Sequence, residues 1–91
     1  MIPVANSPFG GHLCVQIKEK TGMSASVPYI NGNISVAWEG HTPIGVVGWE
    51  STSGYVFPYT TRIVGNNLYY GIGATNGSIN NLTFRWYVLY R

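Results

Sequence analysis

Two glutamates, Glu39 and Glu50, bracket the segment EGHTPIGVVGWE. Paired carboxylates are what glycoside hydrolysis requires, one on each side of the bond to be broken. An extended chain at about 3.3 Å per residue separates these two by roughly 36 Å, too far for shared chemistry. His12, Cys14 and His41 are soft metal ligands by type, and His12 and Cys14 fall on one face of a strand. No patterned carboxylate stands by to orient them, and no Cys/His spacing matches a zinc finger. A half-buried cysteine and two histidines near strand ends account for all three. Nor does any glycine-rich loop lead from a strand into a helix to cradle phosphate. The reading is of a protein that is not an enzyme, with no cofactor and no metal.

Aromatic residues carry the remaining chemistry. Trp49, Tyr55, Phe57 and Tyr59 crowd the low-charge stretch GWESTSGYVFPY. Aromatic faces stack on the apolar face of a sugar ring, and nearby Asn, Ser and Thr bond its hydroxyls. Trp49, Tyr55, Tyr59 and Asn76 are the candidate contacts to a glycan or other receptor. The same rings would equally fill a core or a subunit contact. Asn33, Asn76 and Asn81 each begin an Asn-x-Ser/Thr triplet, read as coincidence because the N-terminus shows no signal peptide.

The elements that would position these residues are strands. No window shows apolar residues at helical spacing, and Gly and Pro punctuate the chain at short intervals. Residues 1–11 read as an extended lead-in and residues 12–91 as one β-sandwich domain. HLCVQIKE is a first strand, with Leu13, Val15 and Ile17 opposite Cys14, Gln16 and Lys18. KTGMSASVPYING is a loop closed by the turn pair Asn31-Gly32. NISVAWE alternates Ile34, Val36 and Trp38 against Ser35, Ala37 and Glu39. GYVFPYTTRIV is a strand broken at Pro58, LYYGIGA another, TNGSINN a turn, and LTFRWYVLYR the last strand. Six or seven short strands make a small antiparallel sandwich, jelly-roll-like, the expected fold.

Composition narrows the partners. Charged residues are 9% of 91, with no Asp, against a usual quarter. Five cations, of which only Lys18 and Lys20 are close, make no patch to displace counterions from nucleic acid. The longest uncharged run carries Gly, Asn or Ser throughout, which excludes a membrane-spanning helix. One cysteine permits no internal disulfide, and a chain this short hides only about 60–65% of its unfolded surface. Association with further copies is the expected source of extra burial.

Two stretches carry a resemblance. In GHTPIGVVGWE, the residues Pro43, Ile44, Gly45, Val46, Gly48 and Trp49, followed by Tyr87, Val88, Leu89 and Tyr90 in LTFRWYVLYR, make residues 33–91 resemble the C-terminal head domain of bacteriophage and prophage tail-fibre proteins. That resemblance implies an all-β homotrimer in the virion whose variable loops recognise a receptor on the host cell, often a glycan. It carries over no binding residue. A structural virion protein serving head decoration or fibre assembly, and a free-standing bacterial lectin, are the alternatives.

The last strand sharpens the expectation of assembly. Leu82, Phe84, Trp86, Val88 and Tyr90 share one parity and should face the core. Tyr87 and Leu89, on the other parity, should meet a neighbouring subunit or the second sheet, with Arg85 and Arg91 at the rim. Gly45 and Gly48 expose backbone where another chain can approach. Tyr87, Leu89, Gly45 and Gly48 are therefore the expected oligomer contacts. The strand reads as a central one, inserted between others to complete a sheet.

Overall fold

The computed structural model describes residues 2–4 and 13–91. They form seven strands: β1 (Ile2–Val4), β2 (Leu13–Ala25), β3 (Tyr29–Ser35), β4 (Pro43–Ser51), β5 (Val56–Val64), β6 (Asn67–Ala74) and β7 (Ile79–Tyr90). Every pairing is antiparallel. One sheet has the order β1-β2-β7-β4 and the other β3-β6-β5. No helix occurs among the described residues, and none therefore is long and apolar enough to cross a membrane. Of the expected lead-in, Ile2–Val4 pair with β2, and the rest lies outside the described residues.

The core forms where the two sheets face one another. On β7, Leu82, Phe84, Trp86, Val88 and Tyr90 are buried, as their shared parity requires. They join Leu68, Tyr70 and Ile72 of β6 in one cluster. Tyr70 meets Trp86 across the sheets at a centroid distance of 4.9 Å, and Phe84 meets Trp86 at 4.7 Å. Burying each such side chain contributes about 1.5–3 kcal/mol before entropy is counted. β7 lies between β2 and β4, so it is the central strand its composition foretold.

Alternation on β7 turns Thr83, Arg85, Tyr87 and Leu89 away from the second sheet. Of the two coverings expected for Tyr87 and Leu89, the second sheet is thereby removed. Arg85 is not at the rim. It sits in register between Glu19 of β2 and Glu50 of β4, with Nε donating to Glu19 Oε2 at 2.6 Å and Nη1 to Glu50 Oε1 at 2.7 Å. Those carboxylates, Glu19 foremost, hold the guanidinium in its charged form.

Other departures have local causes. Asn31-Gly32 does not turn but lies inside β3, in register with Gly71 and Tyr70, because Ile30 and Ile34 on either side pack on the core. β2 continues to Ala25, its register shifting between Lys20 and Met23, where Gly22 takes φ +66°. The strand expected over NISVAWE stops at Ser35. Trp38 and His41 then bridge around Gly40, whose φ of +81° suits a residue without Cβ. His41 stacks on Trp38 at 3.7 Å, and Trp38 meets Tyr90 edge-on. The Tyr90 hydroxyl donates to the Val36 carbonyl at 2.7 Å, fixing this corner to the last strand.

Candidate functional site

The strands β3, β6 and β5 present a second face, away from the core, and the register shows what stands on it. On β6, Leu68, Tyr70 and Ile72 point inward, so Tyr69, Gly71 and Gly73 point out. Three cross-strand rows follow. Asn33, Tyr69 and Arg62 form one, Asn31, Gly71 and Thr60 the next, and Tyr29, Gly73 and Phe57 the third. The register slips between Pro58 and Thr60, and the extra residue, Tyr59, joins this face.

The two glycines explain the rings beside them. A Cβ on Gly71 would lie 2.5 Å from Cζ of Tyr59, and one on Gly73 would lie 2.8 Å from Cζ of Phe57. Each ring therefore lies over a glycine of the neighbouring strand and replaces the packing that glycine lacks. Tyr59 also donates its hydroxyl hydrogen to Asn31 Oδ1, spanning all three strands and leaving the Asn31 amide N–H groups free to donate. Tyr29, Phe57, Tyr59 and Tyr69 remain between 43% and 51% exposed.

Beside Tyr69 runs an open groove of about 420 Å³, lined by Asn31, Gly32, Asn33, Thr60, Arg62, Tyr69 and Tyr70. Tyr70 lies on the core side of the sheet beneath, its hydroxyl 2.6 Å from where a Cβ on Gly32 would stand. Burial pushes the Tyr70 phenol above its ordinary value, so it remains a neutral donor. Rings flanked by amides, hydroxyls and one guanidinium can stack on a flat apolar surface and bond polar groups at its edge.

The residues singled out from sequence are dispersed. Tyr59 stands on this face. Trp49 is on β4 and stacks on Phe84 at 5.4 Å, nearly parallel. Tyr55, packed against the core, lies in the turn before β5, and its carbonyl accepts from the Thr75 amide, so Tyr55 and the exposed Asn76 share one end of the molecule. Tyr29, Asn31, Asn33, Arg62 and Tyr69, which share the outer face with Tyr59, were not singled out from sequence. Alternation in LYYGIGA was the available signal, since placing Leu68, Tyr70 and Ile72 inside sends Tyr69 out.

The expected oligomer contacts, in contrast, lie together on the outer face of the other sheet. Gly45 is in register with Leu89, and Gly48 with Tyr87. The Tyr87 ring covers Gly48, where a Cβ would approach it to 2.8 Å. On the other side of β7, Val15 and Ile17 oppose Leu89 and Tyr87, and Ile17 is 57% exposed. Val15 and Ile17 of β2 thus face outward, while Leu13 is buried and Cys14 enters the core.

Glu39 lies in the turn before β4 and Glu50 near the far end of that strand, the latter bound to Arg85. Among the described residues no three His, Cys, Asp or Glu side chains gather as a metal site. His12 lies outside those residues. No family model, curated protein or solved structure matches the chain.

Proposed function

We propose that the chain is a non-enzymatic receptor-binding domain of the phage tail-fibre tip kind, which holds a bacterial surface glycan on the outer face of β3-β6-β5. The observation that carries this reading is the row Asn33, Tyr69 and Arg62 beside the Tyr59 ring. It offers a stacking surface with bonding groups on both sides, the arrangement a sugar ring needs. A surface protein is the other receptor of this class, and the open groove favours the smaller ligand. The strand order β2-β7-β4 against β3-β6-β5 supports a reduced jelly-roll sandwich, in which successive strands mostly alternate between sheets.

Assembly as a trimer belongs to the same reading. Val15, Ile17, Tyr87 and Leu89 put apolar side chains on the sheet face away from the core, and such a face on a small domain calls for a partner. That face by itself favours a second reading, a structural virion module whose only role is assembly.

The two readings separate in one experiment. Binding of the full chain to bacterial cells, or to glycan extracted from them, is measured for wild type, Tyr69→Ala and Tyr59→Ala, with oligomer mass followed by light scattering. Receptor binding predicts that both variants lose retention while keeping the wild-type mass. Attachment to virions with no retention on any cell or glycan would leave the assembly role alone.

A further inference from the structure

The groove faces an unusual electrostatic situation. Along Tyr29–Ser35, Val56–Val64 and Asn67–Ala74 there is no acidic residue, and Arg62 is the single formal charge. The chain has only three acids. Glu19 and Glu50 are engaged by Arg85 on the opposite sheet, and Glu39 lies in the turn before β4. Among the described residues Arg62 has no ion-pair partner, although it is exposed and lines the groove.

We infer that the ligand of this face is an anionic saccharide, whose ring stacks on Tyr69 while a ring carboxylate is held by Arg62. The inference rests on the glycan-binding reading and adds the chemical class of the ligand. Arg62 and Tyr69 are register partners on adjacent strands, so their backbones stand about 4.8 Å apart. A uronic acid carries its carboxylate one bond outside the ring, which puts it over the neighbouring strand when the ring sits over Tyr69. Guanidinium and carboxylate then meet as two parallel N–H···O bonds, a geometry that lysine cannot reproduce. On the other flank, Asn33 is opposite Tyr69, and Asn31 lines the same groove. Both suit hydroxyls of the sugar. No acid on these strands opposes the approach of an anion, and no acid competes for Arg62.

Trigalacturonate and its full methyl ester are the probes, compared by calorimetric titration of the 91-residue chain. The ester keeps the rings and hydroxyls and removes only the charge. The carboxylate form is expected to bind at least about tenfold more tightly, the size of one charge-assisted contact at an exposed site. Arg62→Gln should erase that preference while the ester still binds. Arg62→Lys should restore only part of it. Since Arg62 is exposed and unpaired, circular dichroism should show both variants folded as wild type.

Equal affinity for acid and ester, or an Arg62→Gln variant that keeps the preference, overturns the inference and leaves glycan binding standing. Failure of both probes, with cell binding still lost in Tyr69→Ala, also overturns it and leaves the broader reading intact. Failure of both probes together with absent cell binding overturns both.

Discussion

Substituting Gly71 by Ala tests the construction of the outer face. The new methyl would lie 2.5 Å from Tyr59 Cζ, 2.6 Å from its Cε1 and 2.7 Å from Thr60 Cγ2. Carbon atoms rest about 3.5–4.0 Å apart, so roughly 1 Å of movement is forced. Tyr59 is 48% exposed and can lift away, losing its bond to Asn31, worth about 0.5–1.5 kcal/mol. Thr60 is short and tied to the backbone, so an off-rotamer side chain adds about 0.5–1.5 kcal/mol. Reduced freedom of the unfolded chain returns about 0.4–1 kcal/mol. The net is a loss of about 1 kcal/mol or somewhat more, which lowers Tm by at least about 4 °C in a domain of this size.

Gly77→Ala is the control. Nothing lies within 4 Å of its added Cβ and its φ is not positive, so it should gain about 0.4–1 kcal/mol. The assay is urea denaturation, with a change in midpoint at constant slope. In a Tyr59→Ala background, Gly71→Ala should cost less by about 0.5–1.5 kcal/mol, the coupling between ring and methyl. If Gly71→Ala stabilised the protein as Gly77→Ala does, the ring would not lie over the glycine and the groove would have another shape.

Three further outcomes are expected. Tyr90→Phe leaves the Val36 carbonyl buried without its hydroxyl donor, and should cost about 1–3 kcal/mol in urea denaturation. Burial raises the phenols of Tyr70 and Tyr90 above their ordinary value of 10.0, so the folded state keeps protons that the unfolded state releases. Stability should be intact below pH 10 and fall as pH rises beyond it, and an ultraviolet titration should show these two phenols ionising at higher pH than in the unfolded chain. Leu89→Lys places a charge on the apolar face beside Val15. In light scattering it should convert a trimer to monomers without loss of strand signal, whereas a wild-type monomer would remove the assembly proposal.

Period-two patterning identified the buried face of the last strand. β7 announces its buried face through Leu82, Phe84, Trp86, Val88 and Tyr90, and the structure buries all five. The same rule does not orient β2, where Leu13, Val15 and Ile17 form the apolar parity and yet Cys14, on the other parity, enters the core. The side of β2 that faces the second sheet carries Gln16 and Lys18 after Cys14, so its local pattern points the wrong way and only its register with β7 decides. Asn31-Gly32 shows the limit of turn chemistry, since flanking isoleucines outweigh a dipeptide preference. Trp49, Tyr55, Tyr59 and Asn76 drew notice as neighbours in sequence or by residue type. A binding face on a sheet is assembled across strands, so Asn33, Tyr69 and Arg62 become neighbours only once β3, β6 and β5 pair. Gly45, Gly48, Tyr87 and Leu89 lie together because they belong to two strands that pair directly.

Amide chemical-shift mapping tests the central claim most directly. The isotope-labelled chain is titrated with glycan extracted from cells that retain it, and shifts are assigned residue by residue. Binding on the outer face of β3-β6-β5 predicts a continuous set of shifts through Asn31, Asn33, Tyr59, Arg62 and Tyr69, with Val15, Ile17 and Leu89 unmoved. Shifts confined to the end that carries Tyr55 and Asn76, or to the face of Tyr87 and Leu89, would contradict it.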